Sequence, residues 1–91
     1  VMDNGCWGAE KAYQRDFYGR RYVGADILSP PYDEFAKICG GFGARANGPG
    51  ETADALRDAL KSGKPAVVQV KVDPDAIVSF RSDSFKHRAK R

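Results

Sequence analysis

Seven residues near the end of the chain constrain the fold most, because their pattern is typical of a β-strand and of little else. The run 66–72 (AVVQVKV) is rich in valine, and Asp73, Pro74 and Asp75 end it. Alternation places Val68, Val70 and Val72 on one face of this strand, and Val67, Gln69 and Lys71 on the other. Such a strand needs neighbouring strands and covering helices, which the rest of the chain must supply.

The first helix is predicted over residues 7–18 and ends near Gly19. Ala9, Tyr13 and Phe17 are spaced four residues apart, which puts them on one face of a helix. We interpret this aromatic stripe as a packing surface rather than as a substrate contact. The segment 20–28 has no clear period and is expected to be an extended connection.

A second helix is predicted after the Ser-Pro-Pro sequence at 29–31, because proline suits the first turn of a helix. The run ends at a Gly-Gly pair, residues 40–41. Four residues of this segment recur with the period of one helical face, namely Tyr32, Phe35, Ala36 and Cys39. We therefore expect Cys39 to be a small buried apolar residue and not a nucleophile.

A short strand over 42–47 and a turn at 48–50 are predicted before a third helix, which spans 51–62. Gly63 and Pro65 end that helix. Its apolar side is expected to consist of Ala53, Leu56 and Leu60, with Ala55 and Ala59 beside them.

The alternation of strands and helices predicts an α/β fold with a parallel sheet covered by helices. A chain of 91 residues with two or three strands supplies little cover for such a sheet. We therefore expect part of a larger three-layer domain in residues 1–75, followed by a basic tail in residues 76–91. The last eleven residues carry five basic side chains and one acidic side chain, so the net charge of +3 belongs to this tail.

Several classes of function are disfavoured by the composition. The basic tail is not accompanied by a nucleic-acid recognition motif, so we expect no nucleic-acid partner. No run of about 20 apolar residues is present, so we expect no membrane partner. Cys6 and Cys39 lack the spacing of a zinc site, and a cytoplasmic location is the default expectation.

The sequence DNGCWG at residues 3–8 is the candidate functional site. We interpret it as a polar, glycine-containing turn that follows the end of a buried strand. Ligands of α/β proteins collect at the carboxyl ends of strands, where Asp3 and Asn4 would lie. By itself, the tripeptide Asp3-Asn4-Gly5 is more typical of an ordinary turn than of a ligand site.

Three segments resemble a known family, the thiamine-diphosphate (ThDP) enzymes. They are the turn at 3–8, the pattern DEFAK at 33–37 followed by FGA at 42–44, and the run ALKSGKPAVVQVKVDP at 59–74. The resemblance is to the C-terminal, diphosphate-binding domain of the acetolactate-synthase-like branch. Within that branch, residues 7–11 and 14–23 are most similar to the sulfoacetaldehyde acetyltransferases.

The resemblance implies ThDP and Mg²⁺ as cofactors. Asn4 matches a metal ligand of the family, and the backbone carbonyl of Cys6 matches a second one. Gly5 and Trp7 complete the implied cofactor-binding set. The family usually has asparagine where Asp3 stands, and Asp3 is not assigned as a ligand. No catalytic residue is assigned, and the Gly-Asp-Gly half of the family's cofactor motif does not occur in this sequence.

The resemblance also implies a longer enzyme that transfers a two-carbon acyl-carbanion unit from a small-molecule substrate. Sulfoacetaldehyde and phosphate would give acetyl phosphate and sulfite. The alternatives are an acetolactate-synthase-type carboligase acting on pyruvate, and a non-catalytic interaction module that keeps the fold. The implied partners are the rest of the enzyme and a second subunit that supplies the pyrimidine-binding domain, in a homodimer or homotetramer. We expect the isolated 91-residue chain to be inactive.

Overall fold

The computed structural model describes residues 1–79 and has an α/β architecture of three strands and three helices in this part of the chain. The predicted tail lies outside the described residues from position 80 onward. In chain order the elements are β1 (Met2–Asp3), α1 (Gly8–Phe17), α2 (Tyr32–Ile38), β2 (Phe42–Ala46), α3 (Pro49–Ser62) and β3 (Ala66–Lys71).

The three strands form one parallel sheet in the order β1-β3-β2, which confirms the predicted fold class. The valine-rich strand β3 is therefore central. On one side Phe42 pairs with Ala66 and Ala46 pairs with Val70. On the other side the short strand β1 pairs Met2 with Val70 and Asp3 with Lys71.

The chain divides into two compact units. The sheet unit contains Val1–Asn4 and Ser29–Val72, and thus all three strands with α2 and α3. The second unit contains α1 within Gly5–Leu28, together with the described residues from Asp73 onward. The two units are described separately below.

Within the sheet unit, α2 and α3 cover opposite faces of the sheet. Arg45 of β2 and Gln69 of β3 are register partners, and both make hydrogen bonds to the first turn of α2. Gly43 lies on the same face, where a Cβ atom would collide with the backbone carbonyl of Asp33. The absence of a side chain at Gly43 therefore lets α2 approach the sheet closely. Val70 lies on the other face and lines a groove with Leu56 of α3.

Strand β1 is more exposed than the sequence suggested. Val1 is 55% exposed and Met2 is 80% exposed, so the prediction of a buried strand end is wrong for the described part of the chain. Met2 is the register partner of Val70 and therefore points to the face that α3 covers. Since α3 packs over β2 and β3, it leaves the side chain of Met2 uncovered.

The first two helices form where they were predicted, but their packed faces differ from the predicted ones. Ala12 is the buried residue of α1, whereas Phe17 of the aromatic stripe is 43% exposed. In α2 the buried residues are Asp33 and Ala36, whereas Phe35 is 65% exposed. Cys39 is also exposed, so its predicted burial is wrong. The helix packs through its small residue and its ion-paired acid because the backbone lies so close to Gly43.

The third helix begins two residues earlier than predicted. Gly48 is its N-cap and Pro49 its first residue, so the predicted turn at 48–50 is wrong. Ala55 is the buried residue, while Leu56 is 51% and Leu60 is 84% exposed. The helix ends at Gly63, as predicted, with a left-handed φ of 65°.

Small side chains make up the buried apolar positions of residues 1–79. They are Cys6, Ala12, Ala25, Ala36, Ala46 and Ala55. Many large apolar side chains are exposed instead, and Leu28, Ile38 and Leu60 are each at least 83% exposed. Within residues 1–79, no helix has the length and apolar character that a membrane crossing requires.

Candidate functional site

Asn4 is the first residue beyond the carboxyl end of β1. Backbone pairing fixes the chain immediately before it, since the N–H of Val70 donates to the carbonyl of Val1 at 2.7 Å. The N–H of Val72 donates to the carbonyl of Asp3 at 2.9 Å. Asn4 is half-buried there, at the edge of a parallel sheet where α/β proteins place their ligands.

The side chain of Asp3 is held by hydrogen bonds from within the sheet unit. The hydroxyl of Ser29 donates to its Oδ1, and Nε2 of Gln69 donates to its Oδ2 at 2.9 Å. Both carboxylate oxygens thus accept a hydrogen bond from a side chain of the same unit. This arrangement gives Asp3 a structural role next to Asn4 and agrees with leaving it out of the ligand set.

Gln69 is the residue of this network that the sequence analysis missed. Its side chain is buried, its Oε1 accepts the N–H of Tyr32 at 2.9 Å, and its Nε2 also donates to the carbonyl of Pro30 at 3.2 Å. A buried polar side chain is normally hydrogen-bonded, so one glutamine within a run of valines was a signal for such a network.

Gly5 gives the turn its direction. Its φ of 65° lies in the left-handed region, which a residue with a side chain adopts only with strain. Its carbonyl accepts the N–H of Ile27 at 3.0 Å. The conformation of Gly5 is thus fixed by a backbone hydrogen bond within the second unit.

Cys6 lies opposite Asp26 in an isolated antiparallel bridge. The flanking groups make the hydrogen bonds of this bridge, since the N–H of Trp7 donates to the carbonyl of Ala25 at 2.7 Å. The peptide groups of a strand alternate in direction, so the carbonyl of Cys6 points away from the segment 25–27. The thiol of Cys6 is buried.

Trp7 directly precedes α1 and is 60% exposed. Its backbone is anchored to Ala25, whereas its indole ring is accessible. One turn later, Nζ of Lys11 contacts the carboxylate of Asp26 at 2.6 Å and lies 5.1 Å from the ring centre of Tyr22. The hydrogen bond with Asp26 raises the pKa of Lys11 above its ordinary value, against the opposing effect of burial. Lys11 therefore stays charged and its ion pair holds Asp26, the residue with which Cys6 pairs.

The donor set of the turn is chemically suited to Mg²⁺. The side-chain amide oxygen of Asn4 and the main-chain carbonyl of Cys6 are neutral, hard oxygen donors, which Mg²⁺ combines with carboxylates, phosphate oxygens and water. Among residues 1–79, no three His, Cys, Asp or Glu side chains come together in a group that could hold a metal ion.

The chain matches a protein family over residues 1–70, and the family is described as the thiamine pyrophosphate enzyme, C-terminal TPP binding domain. Thiamine pyrophosphate is another name for ThDP. The matched range includes the turn, all three helices and nearly the whole of β3. No solved structure gave a significant match.

The curated relatives carry the names of two enzymes, acetolactate synthase and sulfoacetaldehyde acetyltransferase. A probable acetolactate synthase of Mycobacterium bovis is 38% identical over 83 residues, which are 91% of this chain and 15% of that protein. A sulfoacetaldehyde acetyltransferase of Alcaligenes xylosoxydans xylosoxydans is 33% identical over 89 residues, which are 93% of this chain and 15% of that protein. A probable acetolactate synthase large subunit of Methanococcus aeolicus is 27% identical over 83 residues. The chain thus spans about 15% of the length of the curated relatives named first.

Proposed function

Because this chain belongs to the family of thiamine pyrophosphate enzymes through its C-terminal cofactor-binding domain, we propose that it forms part of the ThDP and Mg²⁺ site of a longer enzyme. The observation that carries this proposal is the position of Asn4, the first residue beyond β1, at the carboxyl edge of a parallel sheet. That position supports a diphosphate anchor, and the carbonyl of Cys6 is proposed as the second neutral oxygen donor.

In this proposal the chain's own residues bind and orient the cofactor. Asn4 and the Cys6 carbonyl hold Mg²⁺, which shares its remaining positions with the diphosphate and water. Gly5 sets the direction of the turn, and the exposed indole of Trp7 forms part of the wall of the site. When bound, ThDP supplies the carbanion chemistry, and the protein contributes position and electrostatic surroundings. None of these four residues acts as an acid or a base.

The proposed reaction transfers a two-carbon acyl unit from a small-molecule substrate to an acceptor. We propose sulfoacetaldehyde as donor and phosphate as acceptor, with acetyl phosphate and sulfite as products. The resemblance of residues 7–11 and 14–23 and the 33% identity to a sulfoacetaldehyde acetyltransferase support this choice. The second candidate is acetolactate formation from pyruvate, which the 38% identity to a probable acetolactate synthase favours.

The proposed partners are the remainder of the same enzyme and a second subunit that carries the pyrimidine-binding domain, in a homodimer or homotetramer in the cytoplasm. The many exposed large apolar side chains support a larger protein around this chain, because a monomer seldom leaves extended apolar surface in water. We expect the 91-residue chain alone to be inactive.

Calorimetric titration of the full-length protein with ThDP in the presence of Mg²⁺ tests the cofactor proposal. We expect the Asn4→Ala variant to bind more weakly by at least about tenfold, since it loses a metal ligand. Asn47→Ala is the matched control, because Asn47 follows β2 as Asn4 follows β1. A full-length protein that binds no ThDP would refute the proposal and favour the non-catalytic interaction module.

Product analysis distinguishes the two candidate reactions. The full-length protein is incubated with ThDP, Mg²⁺ and either sulfoacetaldehyde plus phosphate or pyruvate alone. Release of sulfite together with acetyl phosphate supports the acetyltransferase. Acetolactate with carbon dioxide from pyruvate, and no sulfite from the first mixture, would instead establish the carboligase.

A further inference from the structure

We propose that Gln69 is a positioning residue that sets the orientation of Asn4 through Asp3. This inference rests on the proposed function, because it assigns to Gln69 a role in metal and diphosphate binding without any contact to either. All the residues that carry it belong to the sheet unit.

The hydrogen-bond partners of Gln69 allow only one orientation of its side-chain amide. Nε2 donates to Oδ2 of Asp3 at 2.9 Å and to the carbonyl of Pro30 at 3.2 Å. Oε1 accepts the N–H of Tyr32 at 2.9 Å. The reverse orientation of the amide would place its oxygen against a carboxylate and a carbonyl, and its NH₂ group against an N–H donor. The surroundings therefore fix which end of the amide faces Asp3.

The network joins three separate parts of the chain at the end of β1. Gln69 lies in the central strand, Pro30 and Tyr32 lie at the start of α2, and Asp3 is the residue immediately before Asn4. The carbonyl of Asp3 also accepts the N–H of Val72 at 2.9 Å. Both the backbone and the side chain of Asp3 are thus held, and the backbone of Asn4 leaves β1 from a fixed peptide.

Residues that orient a metal ligand without contacting the metal have a measurable effect on metal binding. Loss of such a partner typically lowers metal affinity by roughly ten- to hundredfold. Gln69 meets this description because it is buried at 8% exposure, is fully engaged in hydrogen bonds and acts on the neighbour of a ligand. A mainly structural glutamine would change the stability of the fold but would leave the Mg²⁺ affinity of the folded protein unchanged.

The hydrogen bond between Gln69 and Asp3 can be tested by breaking it with one substitution and restoring it with a second. Gln69→Glu replaces a donor with an acceptor and places a second carboxylate against Asp3, so the two groups repel. Asp3→Asn alone can turn its amide oxygen towards the NH₂ group of Gln69 and its own NH₂ group towards the hydroxyl oxygen of Ser29, so this single variant should be mild. In the double variant the roles are exchanged: the new amide at position 3 donates to the new carboxylate at position 69. Tyr32 and Ser29 keep their acceptors, and only the carbonyl of Pro30 loses its donor.

The experiment measures Mg²⁺ affinity of the full-length protein at saturating ThDP, together with the unfolding temperature of the cofactor-free protein. We expect Gln69→Glu to weaken Mg²⁺ binding by at least about tenfold, whereas Asp3→Asn alone should change it by less than about threefold. The double variant is expected to return to within about threefold of the unsubstituted protein, because its hydrogen bond is restored. Val68→Ala is the matched control, since Val68 neighbours Gln69 in β3 but faces α3. It should lower the unfolding temperature and leave Mg²⁺ affinity unchanged.

Several results would overturn the inference. These are an unchanged Mg²⁺ affinity in Gln69→Glu, an equal loss in Val68→Ala, or a double variant that binds no better than Gln69→Glu alone. Should Gln69→Glu fail to fold, Gln69→Met removes the hydrogen bonds without adding charge, and unchanged affinity in that variant overturns the inference as well. An unsubstituted protein that binds neither ThDP nor Mg²⁺ refutes the proposed function and this inference together. If the unsubstituted protein binds ThDP and Mg²⁺ normally and the Gln69 variants bind Mg²⁺ equally well, only the inference is refuted.

Discussion

Asp33 in the first turn of α2 and Arg45 in β2 form an ion pair, with Nε of Arg45 donating to Oδ1 of Asp33 at 2.8 Å. The carboxylate is nearly covered, with 7% of its side chain exposed, whereas the arginine side chain is 57% exposed. The hydrogen bond from Arg45 lowers the pKa of Asp33 below its ordinary value, although burial acts in the opposite direction. The same bond raises the pKa of Arg45.

This ion pair should make the sheet unit sensitive to acid. A carboxyl group whose pKa is lower in the folded state contributes stability above its ordinary pKa of 3.8. That contribution is lost as the pH falls through the lowered folded-state value. We expect Asp33→Asn to reduce the steepness of the acid-induced loss of stability, measured by urea unfolding at a series of pH values. Arg57→Gln serves as the control, because the exposed pair of Arg57 with Asp54 should contribute little. An unchanged acid profile in Asp33→Asn would contradict the role of the pair.

Gly43 should tolerate no side chain. An added Cβ atom would meet the backbone carbonyl of Asp33, and backbone cannot move aside as a flexible side chain can. We expect Gly43→Ala to destabilise the protein by about 1–3 kcal/mol, as overpacking does. Gly50→Ala is the opposite control, since Gly50 lies in α3 with open space around it, and it should gain up to about 1 kcal/mol. Thermal unfolding measures both, and equal effects of the two substitutions would rule out the close approach of α2.

The two cysteines should differ in their reactivity. Cys39 is exposed at the end of α2, whereas Cys6 is buried beside Asp26. A thiol reagent under native conditions should modify Cys39 quickly and Cys6 only on unfolding, because access controls the rate. Absorbance of the released thiolate measures this, and Cys39→Ser should abolish the fast phase. A fast phase that persists in Cys39→Ser would place Cys6 at the surface instead.

Arg15 should hold the segment 75–77 against α1 in the second unit. Its guanidinium donates to the carbonyl of Ile77 at 2.9 Å and to that of Asp75 at 3.4 Å, while its Nε contacts Asp16 at 2.8 Å. Lysine lacks this planar set of donors, so we expect Arg15→Lys to speed amide hydrogen exchange at Ile77 by about tenfold. The exchange is read by mass spectrometry, with Arg57→Lys as the control. Unaltered exchange would show that Arg15 does not restrain this segment.

The order and type of the elements could be predicted from the sequence because they depend on local signals. Alternating valines defined β3, and proline and glycine residues marked the starts and ends of α2 and α3. The start of α3 differs from its predicted position by two residues, because Pro49 is compatible both with a turn and with the first residue of a helix.

Burial could not be predicted as well, because it depends on neighbours that are distant in sequence. Periodicity favoured Phe35, Ala36 and Cys39 as the packed face of α2. Ala36 is buried as expected, but the close contact at Gly43 buries the ion-paired Asp33 in place of Phe35 and Cys39. The candidate turn was found from its resemblance to a family. Gln69 was missed because its partners, Asp3 and Pro30, are 66 and 39 residues away along the chain.

The central position of β3 has a consequence for synthesis on the ribosome. Among the described strands, β1 and β2 are translated first, are not hydrogen-bonded to each other, and both pair with β3. The partner of β1 within this chain is therefore made only after about seventy further residues, as the pairing of Met2 with Val70 requires. The turn at Asn4 gains its support from Gln69 at the same late stage, so the nascent chain should be unable to bind ThDP until β3 has emerged.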